Sequence, residues 1–324
     1  MMFIFFLGFL PCLVCFTIEF PFKTNFMARI KDINLRKLDQ QTTEDLQFLF
    51  KTTPVLVFEN QDLIPEEQFY ICSLFDKYHN TKKCHPFHDT QIDSVEQIAL
   101  RGKGLADRFG VKSVPIYNGR QFLFTPLWHQ DLVGVKDVNP SVVSSMYMIR
   151  TPPKGGETKF ASLENAYDNM CFLDRSLYGK LNSVYSHKLA LLPQMDFTGY
   201  GKLYKYWEEA EFTEQDKSYM VSQPLLVYAD KETTRKSLML TPNKLYHFEN
   251  TSFEKSQEIV RYIMQHYVLT PNNVGSLKYR EKDLVIFNNR KVIHTSSPTA
   301  EYDEDRLFSL LFLGTDLPIL PVNK

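Results

Sequence analysis

The chain has 324 residues, with 37 basic against 38 acidic side chains and a formal charge of −1. That balance, with no Lys/Arg block interleaved with aromatics, excludes the electrostatic footprint of a nucleic-acid binder. A hydrophobic share of 44% supports one large globular domain or two small ones, and 26 Phe with 17 Tyr suit a β-rich fold.

The first sixteen residues, MMFIFFLGFLPCLVCF, form an apolar run too short for a comfortable transmembrane helix but long enough for a signal h-region. No basic n-region precedes it. Three readings stand side by side: a signal peptide or anchoring segment, an extension upstream of a working protein that starts near Met27, and a strand packed into the core. Membrane contact and a secretory destination follow from the first, a cytoplasmic location from the second. The 5 cysteines are odd in number, and Cys12 and Cys15 lie inside the apolar tract. Neither a disulfide scaffold nor a zinc ribbon is indicated, which favours a reducing compartment.

Beyond the leader, Ile30 to Leu35 has the pattern of a short strand and Thr43 to Lys51 that of a helix. Val55 to Phe58 reads as a buried strand between Pro54 and Asn60, and Pro65 to Tyr78 as a helix that turns Phe69, Cys72, Leu74 and Phe75 to the core. The stretch from Lys82 to Thr125 is polar and punctuated by His, Gly and Pro, so a long loop or lid with short strands such as Gln97 to Leu100 is expected. Val142 to Ile149 alternates as a strand and runs into a turn at Pro152 to Gly156. Leu225 to Tyr228, Ser237 to Leu240, Asp283 to Phe287 and Leu307 to Leu313 are further strands. A helix interrupts them, with Thr251 and Glu254 spaced as a capping box ahead of Ile259, Val260, Ile263, Met264 and Tyr267. No repeat or linker divides the chain, so residues 27–324 are expected to form a single domain after an apolar leader over 1–26.

Trp128-His129-Gln130-Asp131, with His294 far downstream, supplies two imidazoles and one carboxylate. Such a set can hold one face of a non-haem Fe(II) ion and leave the other face open. Two residues apart on an extended segment, His129 and Asp131 point to the same side. Taken alone, the pair is more often a satisfied strand histidine beside a solvent carboxylate.

Further motifs change that weighting. WHQD at Trp128 to Asp131, PPKGGETKF at Pro152 to Phe160, AYD at Ala166 to Asp168, DLVIFNNRKVIH at Asp283 to His294 and DRLF at Asp305 to Phe308 occur in one order. In that order they resemble the taurine dioxygenase family of Fe(II)- and 2-oxoglutarate-dependent oxygenases, over about Met27 to Asp316. The resemblance implies an α+β, mainly β fold: a double-stranded β-helix, or jelly roll, with flanking helices. It implies Fe(II) on His129, Asp131 and His294, with 2-oxoglutarate as cosubstrate and O2 as oxidant. The reaction implied is oxidation, most simply hydroxylation, of a small acidic molecule, with release of succinate and CO2.

Arg306 stands where the family places a guanidinium for the distal carboxylate of 2-oxoglutarate, a two-point contact that lysine cannot reproduce. Thr158 matches a family threonine whose hydroxyl also holds the cosubstrate. Arg306 could also pair with Asp303 or Asp305, and Thr158 could simply close a turn. Taurine-cleaving members carry a second arginine four residues after the first, and Leu310 replaces it here. If one arginine suffices, as in the carnitine-pathway hydroxylases, catalysis survives and a sulfonate anchor is lost; if not, the cosubstrate site is impaired.

Position in the family pattern points to His85, His88, Arg101, Tyr117 and Asn118 as substrate contacts at the pocket mouth, with Lys103 beside them. Arg101 and Lys103 taken singly are equally ordinary surface residues. Two other classes remain open: a metal-dependent hydrolase using the same ligands, and a catalytically impaired jelly-roll binding protein. Neither the substrate nor the oligomeric state has a signature in the sequence.

Overall fold

Runs of branched apolar residues such as Val55-Leu56-Val57-Phe58, all four buried, belong inside a sheet covered on both faces. The computed structural model describes residues 16–21, 23–76, 91–92, 94–105, 115–118, 128–186, 188–189, 212–229, 234–297 and 306–322. Its first strands are β1 (Thr17–Glu19), β2 (Met27–Lys31), β3 (Val55–Phe58), β4 (Gln91–Ile92), β5 (Val95–Leu105), β6 (Pro115–Asn118), β7 (Val143–Arg150), β8 (Thr158–Ser162) and β9 (Asn182–Tyr185). There follow β10 (Val221–Pro224), β11 (Leu226–Tyr228), β12 (Lys236–Leu238), β13 (Leu245–Phe248), β14 (Val274–Leu277), β15 (Leu284–Phe287), β16 (Val292–Ser296), β17 (Arg306–Leu313) and β18 (Leu320–Pro321). The α-helices are α1 (Gln40–Thr52), α2 (Pro65–Phe75), α3 (Leu163–Asn169), α4 (Phe172–Tyr178), α5 (Glu214–Ser218) and α6 (Phe253–Ile263). None among the described residues is long and apolar enough to cross a membrane.

A 9-stranded sheet runs β1-β2-β3-β15-β7-β17-β5-β4, with β6 paired to β5. Its pairs are antiparallel except β2 with β3. On one face, α1 and α2 lay Leu46, Phe50, Ile71 and Phe75 against Phe58, Tyr147 and Leu311. Gln68 of α2 is buried there; its amide donates to Ser145 Oγ at 3.1 Å, and its carbonyl accepts from Ser309 Oγ at 2.5 Å. The other face turns Val57, Met146, Met148, Val285 and Phe287 toward Phe160, Leu277 and Val292 of a second sheet, β14-β8-β16. Alternation along β17 therefore divides Leu307 and Leu311 from Phe308 and Leu310, the second pair facing the inter-sheet layer. Two smaller sheets, β10-β9-β13 and β12-β11-β18, enclose a third apolar cluster with α3 and α6. Trp128 belongs to that cluster and so packs beside His129 as an apolar anchor.

Several boundaries differ from expectation for local reasons. The strand expected over Ile30 to Leu35 lies instead at Met27–Lys31, because Asp32 adopts φ +61° and Asn34 then caps a short 3₁₀ turn at Leu35–Lys37. Within the stretch expected as a loop with short strands, the strand expected at Gln97 to Leu100 is part of a longer β5, Val95–Leu105, whose second half, Arg101-Gly102-Lys103-Gly104, carries charges and glycines and gives no apolar period. The cap of α6 is Ser252 and not Thr251, since Thr251 N–H is still engaged in a turn to Phe248 O. Thr17–Glu19, inside the stretch expected as a leader, pairs with β2, and Phe26 is buried; residues 1–15 lie outside the described residues.

Candidate active site

His294 sits within β16, and its ring meets Phe160 and Phe287 at the inter-sheet layer. His129 lies against it in an isolated antiparallel bridge: each residue's N–H donates to the other's carbonyl, at 2.9 and 3.0 Å. The two imidazoles are thereby brought to 4.3 Å between centroids. The extended geometry expected for the whole motif stops there. From Asp131 the chain turns, with Leu132 at φ +64° and Gly134 at +71°, where a Cβ on Gly134 would lie 2.4 Å from Tyr185 Cβ.

Asp131 reaches the imidazoles from this turn because two carboxamides hold it. Asn289 accepts from Asp131 N–H at 2.8 Å and donates to Asp131 O at 2.8 Å. Gln130, fully buried, donates to Asn289 O at 2.7 Å and accepts from Leu240 N–H at 2.7 Å, while its own N–H donates to Thr241 Oγ1 at 3.0 Å. Sequence reasoning quoted both residues inside motifs and gave neither a role. Neither carries a local signal, since Gln130 lies between His129 and Asp131 and Asn289 between Asn288 and Arg290.

Asp131 Oδ1 is 3.6 Å from His129 Nε2, and Oδ2 is 3.6 Å from His294 Nε2. These separations are too long for hydrogen bonds. The three ligand atoms lie within 4.8 Å of one another. Asp131 Oδ2 and His294 Nδ1 are buried without a hydrogen-bond partner. A buried carboxylate oxygen without a donor costs on the order of 1–3 kcal/mol or more, and a cation among the three groups would remove that cost. Burial pushes the Asp131 carboxyl up, but His294, His129 and the Lys244 ammonium together outweigh it and hold it below its ordinary value. Burial pushes the His294 imidazole down to about 4, against the pull of Asp131, so the ring is neutral with a lone pair to donate. An ionised carboxylate and two imidazoles fit Fe(II).

A second constellation adjoins the first. Across β8 and β16, Phe160 is opposite His294 and Thr158 opposite Ser296, which sets Thr158 about 7 Å along the strand from His294. Arg306, the first residue of β17, donates from Nη2 to Thr158 Oγ1 at 3.3 Å. Its guanidinium lies 4.7 Å from the Phe308 ring centre and 5.7 Å from that of Tyr279, and its Nε is buried without a partner. The turn carrying Thr158 is pinned by Lys278, whose ammonium donates to Pro152 O, Pro153 O and Gly155 O at 3.3, 3.1 and 2.9 Å. Gly156 adopts φ +72°, and a Cβ there would lie 2.7 Å from Pro152 Cγ and 3.3 Å from Arg306 Cδ. Thr158 and Arg306, the two residues expected at the cosubstrate, are thus brought into contact.

Of the expected substrate contacts, Arg101 is half-buried on β5 and registers with Phe308 of β17, so the two share a sheet face. Tyr117 and Asn118 lie on β6, outboard of β5, where Tyr117 pairs with Lys103 and Asn118 with Gly102. His85 and His88 lie outside the described residues.

Residues 19–311 match the family model described as taurine catabolism dioxygenase TauD, TfdA family. The chain is 23% identical to the alpha-ketoglutarate-dependent 2,4-dichlorophenoxyacetate dioxygenase of Cupriavidus pinatubonensis, over 85% of this chain and 90% of that protein. It is likewise 23% identical to the alpha-ketoglutarate-dependent xanthine dioxygenase of Emericella nidulans, over 93% and 95%. Among solved structures, a putative alpha-ketoglutarate-dependent taurine dioxygenase from Burkholderia xenovorans shares the fold with a TM-score of 0.69 at 20% identity, covering 94% of this chain and 95% of that one. The chain belongs to the TauD/TfdA family and is an Fe(II)- and 2-oxoglutarate-dependent dioxygenase of the kind that acts on small molecules.

Proposed function

We propose that this enzyme hydroxylates a C–H bond of a small acidic molecule, with Fe(II) on His129, Asp131 and His294 and the distal carboxylate of 2-oxoglutarate on Arg306 and Thr158. The observation that carries the proposal is the buried Asp131 oxygen with no donor, facing two imidazoles, a short strand step from a buried guanidinium. We take the fold to be a double-stranded β-helix on a single domain, a reading supported by the two facing sheets and the family match.

Bound together, Fe(II), 2-oxoglutarate and O2 supply an oxidant for an unactivated C–H bond, and succinate and CO2 leave. The chain's own part is positioning and dryness. Neutral His294 and ionised Asp131 offer lone pairs without first shedding protons. Phe160 and Phe287 wall His294 with apolar rings, which keeps water from the reacting centre. Arg306 and Thr158 fix the far end of the cosubstrate, so its reactive end meets the metal in one orientation. An acidic substrate is supported by Arg101 on the same sheet face as Phe308, and by the carboxylate in the substrate named for the Cupriavidus relative.

The test is an anaerobic titration of the full chain with Fe(II) and then 2-oxoglutarate, followed by visible absorption. A charge-transfer band that appears on the second addition, and is absent from Asp131→Ala, is expected. Folded wild-type protein that gives no band would overturn the assignment.

A further inference from the structure

Tyr279 follows β14 and is buried at 4% exposure, with its ring in the apolar layer between the two sheets. Its neighbour Lys278 points the other way, onto the Pro152 to Gly155 turn. The Tyr279 hydroxyl faces Thr158 and Arg306 yet makes no well-aligned hydrogen bond, and Arg306 Nε is unpartnered in the same place. Buried polar groups are rarely left unpaired, and two donors aimed into one pocket call for an acceptor with several lone pairs. A carboxylate has about four such sites. Leu310 shares the inner face of β17 with Phe308 and offers no donor.

We infer that Tyr279 donates its phenolic hydrogen to the distal carboxylate of 2-oxoglutarate, beside Arg306 and Thr158. This rests on the proposed function, which places that carboxylate at Arg306 and Thr158. Burial pushes the phenol up to about 12, so it is a proton-bearing donor throughout the working range. A neutral donor adds no second cation beside Arg306, so recognition there depends on geometry more than on charge.

The experiment compares wild type with Tyr279→Phe, which keeps the ring and its packing. Each is titrated anaerobically with Fe(II), then with 2-oxoglutarate or with 2-oxovalerate, which has the same keto-acid head and chain length but no distal carboxylate. Tyr279→Phe is expected to bind Fe(II) as wild type does and to bind 2-oxoglutarate about 10- to 100-fold more weakly, the range for losing a hydrogen bond to a charged group. Its affinity for 2-oxovalerate should be unchanged. Unaltered 2-oxoglutarate affinity, or an equal loss with both keto acids, would overturn the role of Tyr279 while leaving the proposed function standing. A wild type that fails to prefer 2-oxoglutarate over 2-oxovalerate would overturn both.

Discussion

Asn289→Ala removes the carboxamide that grips the main chain of Asp131 at both ends, at 2.8 Å for the N–H and 2.8 Å for the carbonyl. A net hydrogen bond is worth about 0.5–1.5 kcal/mol, and a buried main-chain group left bare costs about 1–3 kcal/mol. With Asn289 itself fully buried, water has no easy path to replace the lost amide. Two buried main-chain groups left bare therefore sum to about 2–6 kcal/mol, the lower half being the safer expectation because the turn can relax. At a urea slope of about 3 kcal/mol per molar, the unfolding midpoint should fall by roughly 1 M. The same truncation frees the turn at Leu132 to Gly134, so Asp131 no longer meets His129 and His294 at fixed separation. Affinity for Mn(II), a redox-inert probe of the site, should drop with stability. Urea denaturation followed by circular dichroism gives the first quantity, and isothermal titration of the folded protein gives the second. A variant that unfolds at the wild-type midpoint and holds Mn(II) equally well would refute the claim that this clasp positions Asp131.

The metal-free protein should lose stability as pH falls from about 6.5 toward 4, because the unfolded chain takes up the His294 proton near its ordinary value and the folded chain only near 4. The unfolded state thus binds more protons in that window, which removes up to about 3 kcal/mol of stability in all; a midpoint that is flat across it in wild type and in His294→Ala alike would count against a neutral buried ring. Gly156→Ala places a Cβ at φ +72°, 2.7 Å from Pro152 and 3.3 Å from Arg306. The left-handed conformation alone costs about 1–2 kcal/mol, so a lower thermal midpoint and weaker 2-oxoglutarate binding are expected, and wild-type values for both would contradict the packing described. Arg306→Ala should raise the requirement for 2-oxoglutarate at least tenfold in a succinate-release assay while changing that for the organic substrate little; equal effects on both would argue against the clamp.

Groups assigned to the proposed chemistry were legible in the sequence because such a reaction restricts their kind. Two imidazoles and a carboxylate at His129, Asp131 and His294, with Arg306 and Thr158 behind them, meet in space as the motif order implied. Strands such as Val55–Phe58 and Leu284–Phe287 were legible too, since burial on both faces forces an unbroken apolar run. Where burial is partial the pattern thins, and only the Gln97 to Leu100 part of β5 was legible, because Arg101-Gly102-Lys103-Gly104 beyond it has the composition of a loop.

The residues that aim the ligands left no such trace. Gln130 and the carbonyl it holds are 159 positions apart, and the pairing of Asn289 with Asp131 spans almost as much chain. No local period connects them; only the register of β16 against the His129 bridge brings them together. Tyr279 is silent in the same way, since a tyrosine after a strand is ordinary until β8 and β17 deliver Thr158 and Arg306 to its hydroxyl. The metal ligands answer to the valence of an ion and are fixed in type, whereas a positioning group answers to the gap the backbone happens to leave. Tyr279 illustrates the consequence: a residue just past β14 can offer a hydrogen to a carboxylate held by Arg306 of the facing sheet, because the backbone leaves its hydroxyl unpaired beside that guanidinium.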